Sequence, residues 1–383
     1  MTHKTIINIC LTLIALCWTM AIQAQTATVD GINYNLNADA KTAEVTKSNA
    51  TGDIVIPEKI TVDGVEYSVT SIGYQAFMEC TALTSVKMPS VTSIGSSAFQ
   101  SCSNLISVSI PLVATLFDGA FQTCTNLISV EMPLVTAINN YAFNGCSNLT
   151  SVDMPLVKSI RFQAFCGCSS LTSVDMPLVT SIDGNAFNGC SSLTSVDMPL
   201  VTRISSQAFY GCPITNFSLP ASLTSIGDNC FTETKEITLA ATTPAVLGTD
   251  AFWKYAVIRV PESAVNDYRT AAGWSNYKNQ ILSMSDITDY DVTVTAQEKE
   301  SGLLNMITQD NLGKVVSLKV TGTINGYDIM VIRNKMPNLH YLDLTDATIV
   351  ANYYYYYLNC YTKQCYWGIY VLRFRKIYIR QVT

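Results

Sequence analysis

Four carboxylates recur at a fixed interval of 22 residues: Glu131, Asp153, Asp175 and Asp197. Each stands between two apolar residues, as Asp153 does between Val152 and Met154, so each is the outward residue of a short alternating segment. Oxygen ligands of this kind suit a hard cation such as calcium. A straight row, however, lacks the wrap-around geometry of a cage, and no metal site is expected. General acid–base chemistry needs two groups whose surroundings drive their pKa values apart. These four share nearly the same neighbours, so they form no such pair. What a row of equal charges can do is repel itself, by roughly 1 kcal/mol per adjacent pair at ~4.8 Å in water, or meet a basic partner. A solvated acidic face inherited by copying one segment is the plainest account, and a basic partner surface is the functional one. Read along the chain, the outward position is filled by Lys87, Ser109, Glu131, Asp153, Asp175, Asp197 and Ser218. Beside it runs a hydroxyl column, Ser85, Ser107, Ser129, Ser151, Ser173 and Ser195, read as structural.

Cysteine shows the same interval at Cys80, Cys102, Cys124, Cys146, Cys168, Cys190 and Cys212, seven of the chain's 13. In an exported protein such a column invites disulfides, and neighbours ~5 Å apart would permit them. Against this, side chains in one column run parallel and their number is odd. A file of buried thiols acting as small hydrophobes is the expectation. There is no Cys-x-x-Cys spacing for zinc, and Cys166-Gly167-Cys168 is one residue too tight. The chain has only two histidines, His3 and His340, so no Ser-His-Asp or Cys-His set can be assembled. No HExxH and no phosphate-cradling glycine loop occurs. The expectation is a protein with no catalytic residues and no cofactor.

The elements that position these columns follow from the copying itself. Ser147 to Cys168 reads SNLTSVDMPLVKSIRFQAFCGC, and Ser169 to Cys190 reads SSLTSVDMPLVTSIDGNAFNGC. Phenylalanine recurs at Phe77, Phe99, Phe121, Phe143, Phe165, Phe187, Phe209 and Phe231, leucine from Leu83 to Leu193, and proline from Pro89 to Pro199 and on to Pro220 after a one-residue deletion beside Pro213. Within one copy, Val152 and Met154 alternate with Ser151 and Asp153 as in a strand, and Pro155 ends it because it has no N–H to give. Val157 and Ile160 form a second short apolar pair. Ala164 and Phe165 fall in a short helical or 3-10 turn, with Gly167 allowing the sharp return. One copy alone buries almost nothing. About three stacked copies are needed for a continuous core, with equivalent strands in a parallel sheet and the Phe column as a stacked spine.

The pattern L-x-x-V-x-M followed by A-F-x-G-C resembles the leucine-rich repeat, and more narrowly the BspA-type subfamily. The resemblance covers residues 69–252. It implies a leucine-rich-repeat solenoid of 22-residue units, with a parallel β-sheet on the concave side, short helical or 3-10 turns and an N-terminal β cap. The resemblance also implies function. BspA-type proteins are associated with adhesion to host extracellular proteins and other cells. The expected role is therefore an exported, cell-surface binding protein that offers its concave face, with Glu131, Asp153, Asp175 and Asp197 as contact residues, to a protein or glycan partner, a basic one included. The alternative is a structural surface scaffold with no specific ligand; the near-identity of several units suits a repetitive ligand or a purely structural role better than a unique epitope.

Outside the array, Lys4, the apolar run from Ile6 to Ile22 and Ala24 read as a secretory signal over 1–24. A lipoprotein reading through Cys17 meets Leu16 where a small residue is wanted. A single membrane anchor is the bland alternative. The mature chain is expected to lack a transmembrane segment and to be secreted or held at the cell surface. Residues 25–68 alternate like strands and are read as the N-terminal cap. Residues 253–282, with Val265, Tyr268 and Ala272 on one helical face, are read as the C-terminal cap of the array. Residues 283–350 carry the L-x-x-L-x-L of Leu339, Leu342 and Leu344 and read as the start of a second array. Residues 351–383 hold nine of the 20 tyrosines and five basic residues with no acidic one. That tail reads either as an out-of-frame or prematurely ended translation or as a β-rich cover for the last rung. Net charge is −6, so the first 350 residues, with 18 basic and 29 acidic groups, carry −11. An acidic body of this kind gives no reason to expect a nucleic-acid partner.

Overall fold

In the rung from Ser147 to Cys168 the chain makes a strand at Ser151–Asp153, turns at Pro155, makes a second strand at Ser159–Ile160 and returns through tandem turns. This rung repeats along a parallel β-solenoid in the computed structural model, which describes residues 25–286, 290–295, 301–339, 341–350 and 377–378. The chain divides into two compact units, the first ending at Leu282 and the second beginning at Ser283.

The solenoid carries two parallel ladders. The first runs from Gly52–Val55 through Leu83–Lys87, Ser107–Ser109 and Ser129–Glu131 to Ser151–Asp153. It resumes at Ser173–Asp175 and Ser195–Asp197, and again from Asn216–Leu219 to Val257–Val260. The second joins the short Ser-Ile strands, as in Ser159–Ile160 on Ser181–Ile182. The valine–isoleucine pair noticed in the sequence is thus a second sheet edge. Two-residue strands are too short to show the alternation by which strands are recognised.

Everything apolar in a rung points between the ladders. Leu149, Met154, Val157, Ile160, Ala164, Phe165 and Cys168 are each at most 1% exposed. The Phe column is a spine. Eight successive ring pairs from Phe77 to Phe252 stack with centroids 5.2–5.8 Å apart and planes within 19°. Each buried ring contributes about 1.5–3 kcal/mol, and only when rungs stand on both sides of it.

The return segment is not a helix. Ala164, Cys166 and Cys168 donate their N–H groups to the carbonyls three residues earlier, at 3.2, 3.3 and 3.1 Å, the 3-10 pattern. Left-handed residues interrupt it twice per rung, Gln163 at φ +53° and Gly167 at φ +74°. A run of helix cannot pass through that conformation. The N–H groups freed by the turns reach the next rung instead: Phe165 donates to Ala186 O at 2.8 Å and Gly167 to Asn188 O at 2.8 Å.

At the N-terminal end an antiparallel hairpin, Gln25–Val29 on Ile32–Asn37, closes the edge of the second ladder through Thr42–Val45. Tyr34 and Tyr67 fill the space beneath it. At the other end of this unit the helix Val265–Thr270 and the 3-10 turn Trp274–Tyr277 lie over the last ring of the spine. Trp274 stands 5.4 Å from Phe252, and its Nε1 donates to Ala245 O at 2.7 Å. Here the structure corrects the sequence reading of one helical face. Tyr268 is buried and Val265 packs on the core, but Ala272 is exposed and lies beyond the helix. Ala271 is already extended and Gly273 sits at φ +79°, which turns the chain so that Trp274 supplies the cover.

The second unit pairs Tyr290–Val294, Ser317–Ile324 and Tyr341–Asp343 in parallel, with Leu318 opposite Leu342. The helix Gly326–Lys335 packs beside them behind a capping box. Asn325 Oδ1 accepts from the N–H groups of Tyr327 and Asp328. The buried Asp328 carboxylate accepts from Ser301 Oγ at 2.7 Å, Leu303 N at 2.8 Å and Asn325 N at 2.8 Å, so its charge is spread over three donors and its role is structural. The signal segment, His340 and, apart from the backbone of Ile377–Tyr378, the tyrosine-rich tail lie outside the described residues.

Candidate functional site

The acidic row stands where the strand face meets solvent. Glu131 lies opposite Asp153 in register, and Asp175 opposite Asp197. All four are exposed, and the hydroxyls Ser129, Ser151, Ser173 and Ser195 share their side of the strands. The row is made of two pairs rather than one ladder, because strand pairing is interrupted between Asp153 and Asp175. None of the four takes part in an ion pair among the described residues. Side chains within a pair are held in register by the backbone, so their repulsion cannot be relieved by slipping the strands.

Higher on the same ladder the face is anchored differently. The Asp53 carboxylate accepts from Ser85 Oγ at 2.6 Å and Thr84 Oγ1 at 2.7 Å. These hydrogen bonds, Ser85 first and Thr84 next, hold its pKa below the usual aspartate value. Ser85 therefore does what a structural hydroxyl would do. Among the described residues no group of three His, Cys, Asp or Glu side chains is placed to hold a metal ion.

Sequence reasoning missed a leucine row. Three residues after each acid, just past the proline, stand Leu134, Leu156 and Leu200, 40–47% exposed, with Leu178 half-buried in the same register. Leu112 extends the row by one rung, at 46% exposure. The signal was present, since proline–leucine recurs at the same interval, but nothing in the order of residues says that this leucine faces outward while Leu149 faces inward.

The cysteine column does more than fill space. Cys102, Cys124, Cys146, Cys168, Cys190 and Cys212 each donate Sγ–H to the carbonyl of the Phe in the preceding rung, at 3.0–3.2 Å. Phe165 O, for example, accepts from Cys168 N within its rung and from Cys190 Sγ in the next. A buried carbonyl has two lone pairs and no water to meet the second; the thiol meets it. Burial pushes the Cys146 thiol up to about 12 and that of Cys168 well above its ordinary value. Cys146 and Cys168 therefore stay protonated and act as donors, whereas the hydrogen bond with Cys124 lowers the Cys102 thiol, which is held out of reach by burial.

The model of the BspA type leucine rich repeat region, in six copies, matches residues 58–172, 114–238 and 158–259, more than half of the chain in all. The chain belongs to the BspA-type leucine-rich repeat family. Among solved structures, this BspA-type chain is similar to a leucine-rich repeat protein from Bacteroides ovatus, at 19% identity and a TM-score of 0.49 over 85% of this chain and 99% of that one. The leucine-rich repeat protein of T. pallidum is 28% identical over 49% of this chain and 89% of its own, with a TM-score of 0.45. A leucine rich cell surface protein from Faecalibacterium prausnitzii is 19% identical over 85% and 94%, with a TM-score of 0.42. No curated protein matches the chain. Solenoids of the leucine-rich repeat class are generally binding scaffolds. No described helix is long and apolar enough to cross a membrane.

Proposed function

We propose that this BspA-type chain is an exported, cell-surface binding protein that presents its strand face to an extracellular protein or glycan, with Glu131, Asp153, Asp175 and Asp197 as the contact row. The observation that carries the reading is the pairing of exposed, uncompensated carboxylates with a parallel row of exposed leucines. Each such carboxylate pair destabilises the free protein slightly, and each exposed leucine is apolar surface left in water. A partner that is basic and partly apolar relieves both at once. Secretion is supported by the basic start, the apolar run and Ala24. The scaffold reading keeps one specific observation in its favour: SVDMPLV occurs in three successive rungs, so the face repeats itself instead of presenting one distinct epitope.

The test is the triple variant Asp153→Asn, Asp175→Asn, Asp197→Asn, compared with the parent in thermal unfolding and in capture of host matrix proteins and glycans. The binding reading expects a higher melting temperature together with weaker capture. A gain in stability with unchanged capture would leave the acidic row as an inherited solvated face.

A further inference from the structure

Unlike the acidic row of the strand face, the corner that follows the second ladder carries cations, Lys158, Arg161 and Arg203, among its acids Asp118, Asp183 and Asp228. The array from 69 to 252 has five lysines and arginines, and three of them, Lys158, Arg161 and Arg203, fall on or beside this ladder within rungs that are otherwise near copies of one another. The Asp183 carboxylate sits between two guanidinium groups, accepting from Arg203 at 2.8 Å and facing Arg161 at 3.6 Å. Within this group of three, one carboxylate shared by two arginines leaves one guanidinium charge in excess. Both arginines remain about half exposed, at 49% and 54%.

In the same rungs the fold gives up a stabilising device. In the column one residue further on, side chains stitch rung to rung. Asn140 Oδ1 accepts from Phe162 N at 3.2 Å while Asn140 Nδ2 donates to Asp118 at 3.2 Å. Ser206 Oγ likewise accepts from Asp228 N at 3.2 Å, and Asp228 from Thr249 N at 2.6 Å. Position 162 holds a phenylalanine instead, 38% exposed, and position 184 holds glycine. The two changes fit one another. A Cβ on Gly184 would lie 3.6 Å from the Phe162 ring, so the glycine leaves that ring uncovered, and Tyr141 props it edge-on at 5.6 Å. The edge-on contact with Tyr141 holds one side of the ring but does not account for the surface it leaves open or for the missing rung-to-rung side-chain hydrogen bonds at positions 162 and 184; local rules broken in this way are expected at functional positions.

We propose that Phe162, Gly184 and the Arg161–Asp183–Arg203 group form a binding shelf for an acidic saccharide. The exposed ring offers an apolar platform to the C–H face of a pyranose. The guanidinium forks take a carboxylate bidentately, and Asp183 accepts from neighbouring hydroxyls. The shelf lies on a turn with glycine at position 184, where no side chain covers the Phe162 ring. This site lies on a different face from the acidic row and stands independently of the reading given to that row.

The array supplies its own conservative replacements. Serine occupies the 162 column at Ser206 and the Arg203 column at Ser181 and Ser225, so Phe162→Ser and Arg203→Ser keep a residue the fold already accepts there. Gly184→Ser places a side chain against the Phe162 ring. The intact chain is titrated by calorimetry with oligogalacturonate and hyaluronan hexamers, with a neutral galactan hexamer and with hexaglutamate. The proposal expects saturable binding of at least one acidic sugar, weakened about tenfold or more by each of the three substitutions, with the galactan weaker and the melting temperature of Phe162→Ser lowered by far less than that of Phe165→Ala. Binding that survives Phe162→Ser, absence of binding to both acidic sugars, or hexaglutamate binding as tightly as the sugars would each overturn it; the last would point to an acidic peptide. The Asp153, Asp175, Asp197 triple variant should bind the sugar as the parent does, which separates failure of this site from failure of the strand face.

Discussion

Phe165→Ala tests the solenoid at its centre. The ring is fully buried, stacked on Phe143 at 5.3 Å and on Phe187 at 5.2 Å, both pairs within 6° of parallel. Truncation removes both stacking contacts, each worth about 0.5–1.5 kcal/mol beyond burial, and opens a cavity. Phe→Ala in a core costs about 3–5 kcal/mol, the higher values where the site cannot collapse. Collapse is resisted here, because ladder and turn hydrogen bonds hold the rungs at fixed spacing on both sides. A loss of about 4 kcal/mol is therefore expected from the shift in urea midpoint. The control lies three residues away. Phe162 is partly exposed in the same rung and touches only Tyr141 edge-on among the aromatic rings, so Phe162→Ala should cost no more than about 1.5 kcal/mol. Hydrogen exchange adds a spatial readout, since nearest-neighbour coupling confines the damage. The amides of Phe143 and Phe187 should exchange faster, and those near Phe77 should not. If Phe165→Ala and Phe162→Ala lost stability equally, or if Phe165→Ala lost less than about 1 kcal/mol, the stacked spine would not be what holds the array together.

Three further outcomes follow from the same geometry. Cys146 and Cys230 are raised by burial to about 12 from an ordinary 9.0, so the unfolded chain ionises first; stability should be flat below pH 9 and fall from pH 9 to 12, by up to about 1.4 kcal/mol per pH unit for each thiol, as followed by circular dichroism. Native alkylation with iodoacetamide, mapped by peptide mass, should modify half-buried Cys166 before any member of the column from Cys102 to Cys212, because access outweighs thiolate character: burial raises the Cys166 thiol and the Cys124 hydrogen bond lowers that of Cys102, yet Cys102 is enclosed. Gly227→Ala should be among the most damaging surface-side changes, because its Cβ would meet the backbone N of Ser206 at 2.3 Å. Gly184→Ala, whose nearest contact is 3.4 Å, should be tolerated, and a reversed order of melting temperatures would contradict the rung spacing.

The repeat sequence alone determined that this chain is a solenoid, because a column of identical residues at a constant interval has no other way to be buried. Phe143, Phe165 and Phe187 share one sequence context, and any fold that stacks the copies must stack the rings. The acidic row was legible for the same reason: Glu131, Asp153, Asp175 and Asp197 alternate with Val and Met. Direction was not legible. Leu149 and Leu156 are both leucines at constant intervals, yet one is buried and the other 40% exposed, because the turn after Pro155 decides which way a residue faces. The second job of the cysteines was equally hidden, since a hydrogen bond from Cys190 to Phe165 joins residues 25 apart and depends on where the left-handed residues Gln163 and Gly167 send the chain. The corner at Phe162 and Arg203 was invisible from periodicity, which averages away the few positions where copies differ. Only stacking the rungs brought Asp183 between two arginines and set Gly184 beside an open aromatic ring. Period settles that the rungs stack, and the backbone turns settle which periodic residues face the core and which face solvent.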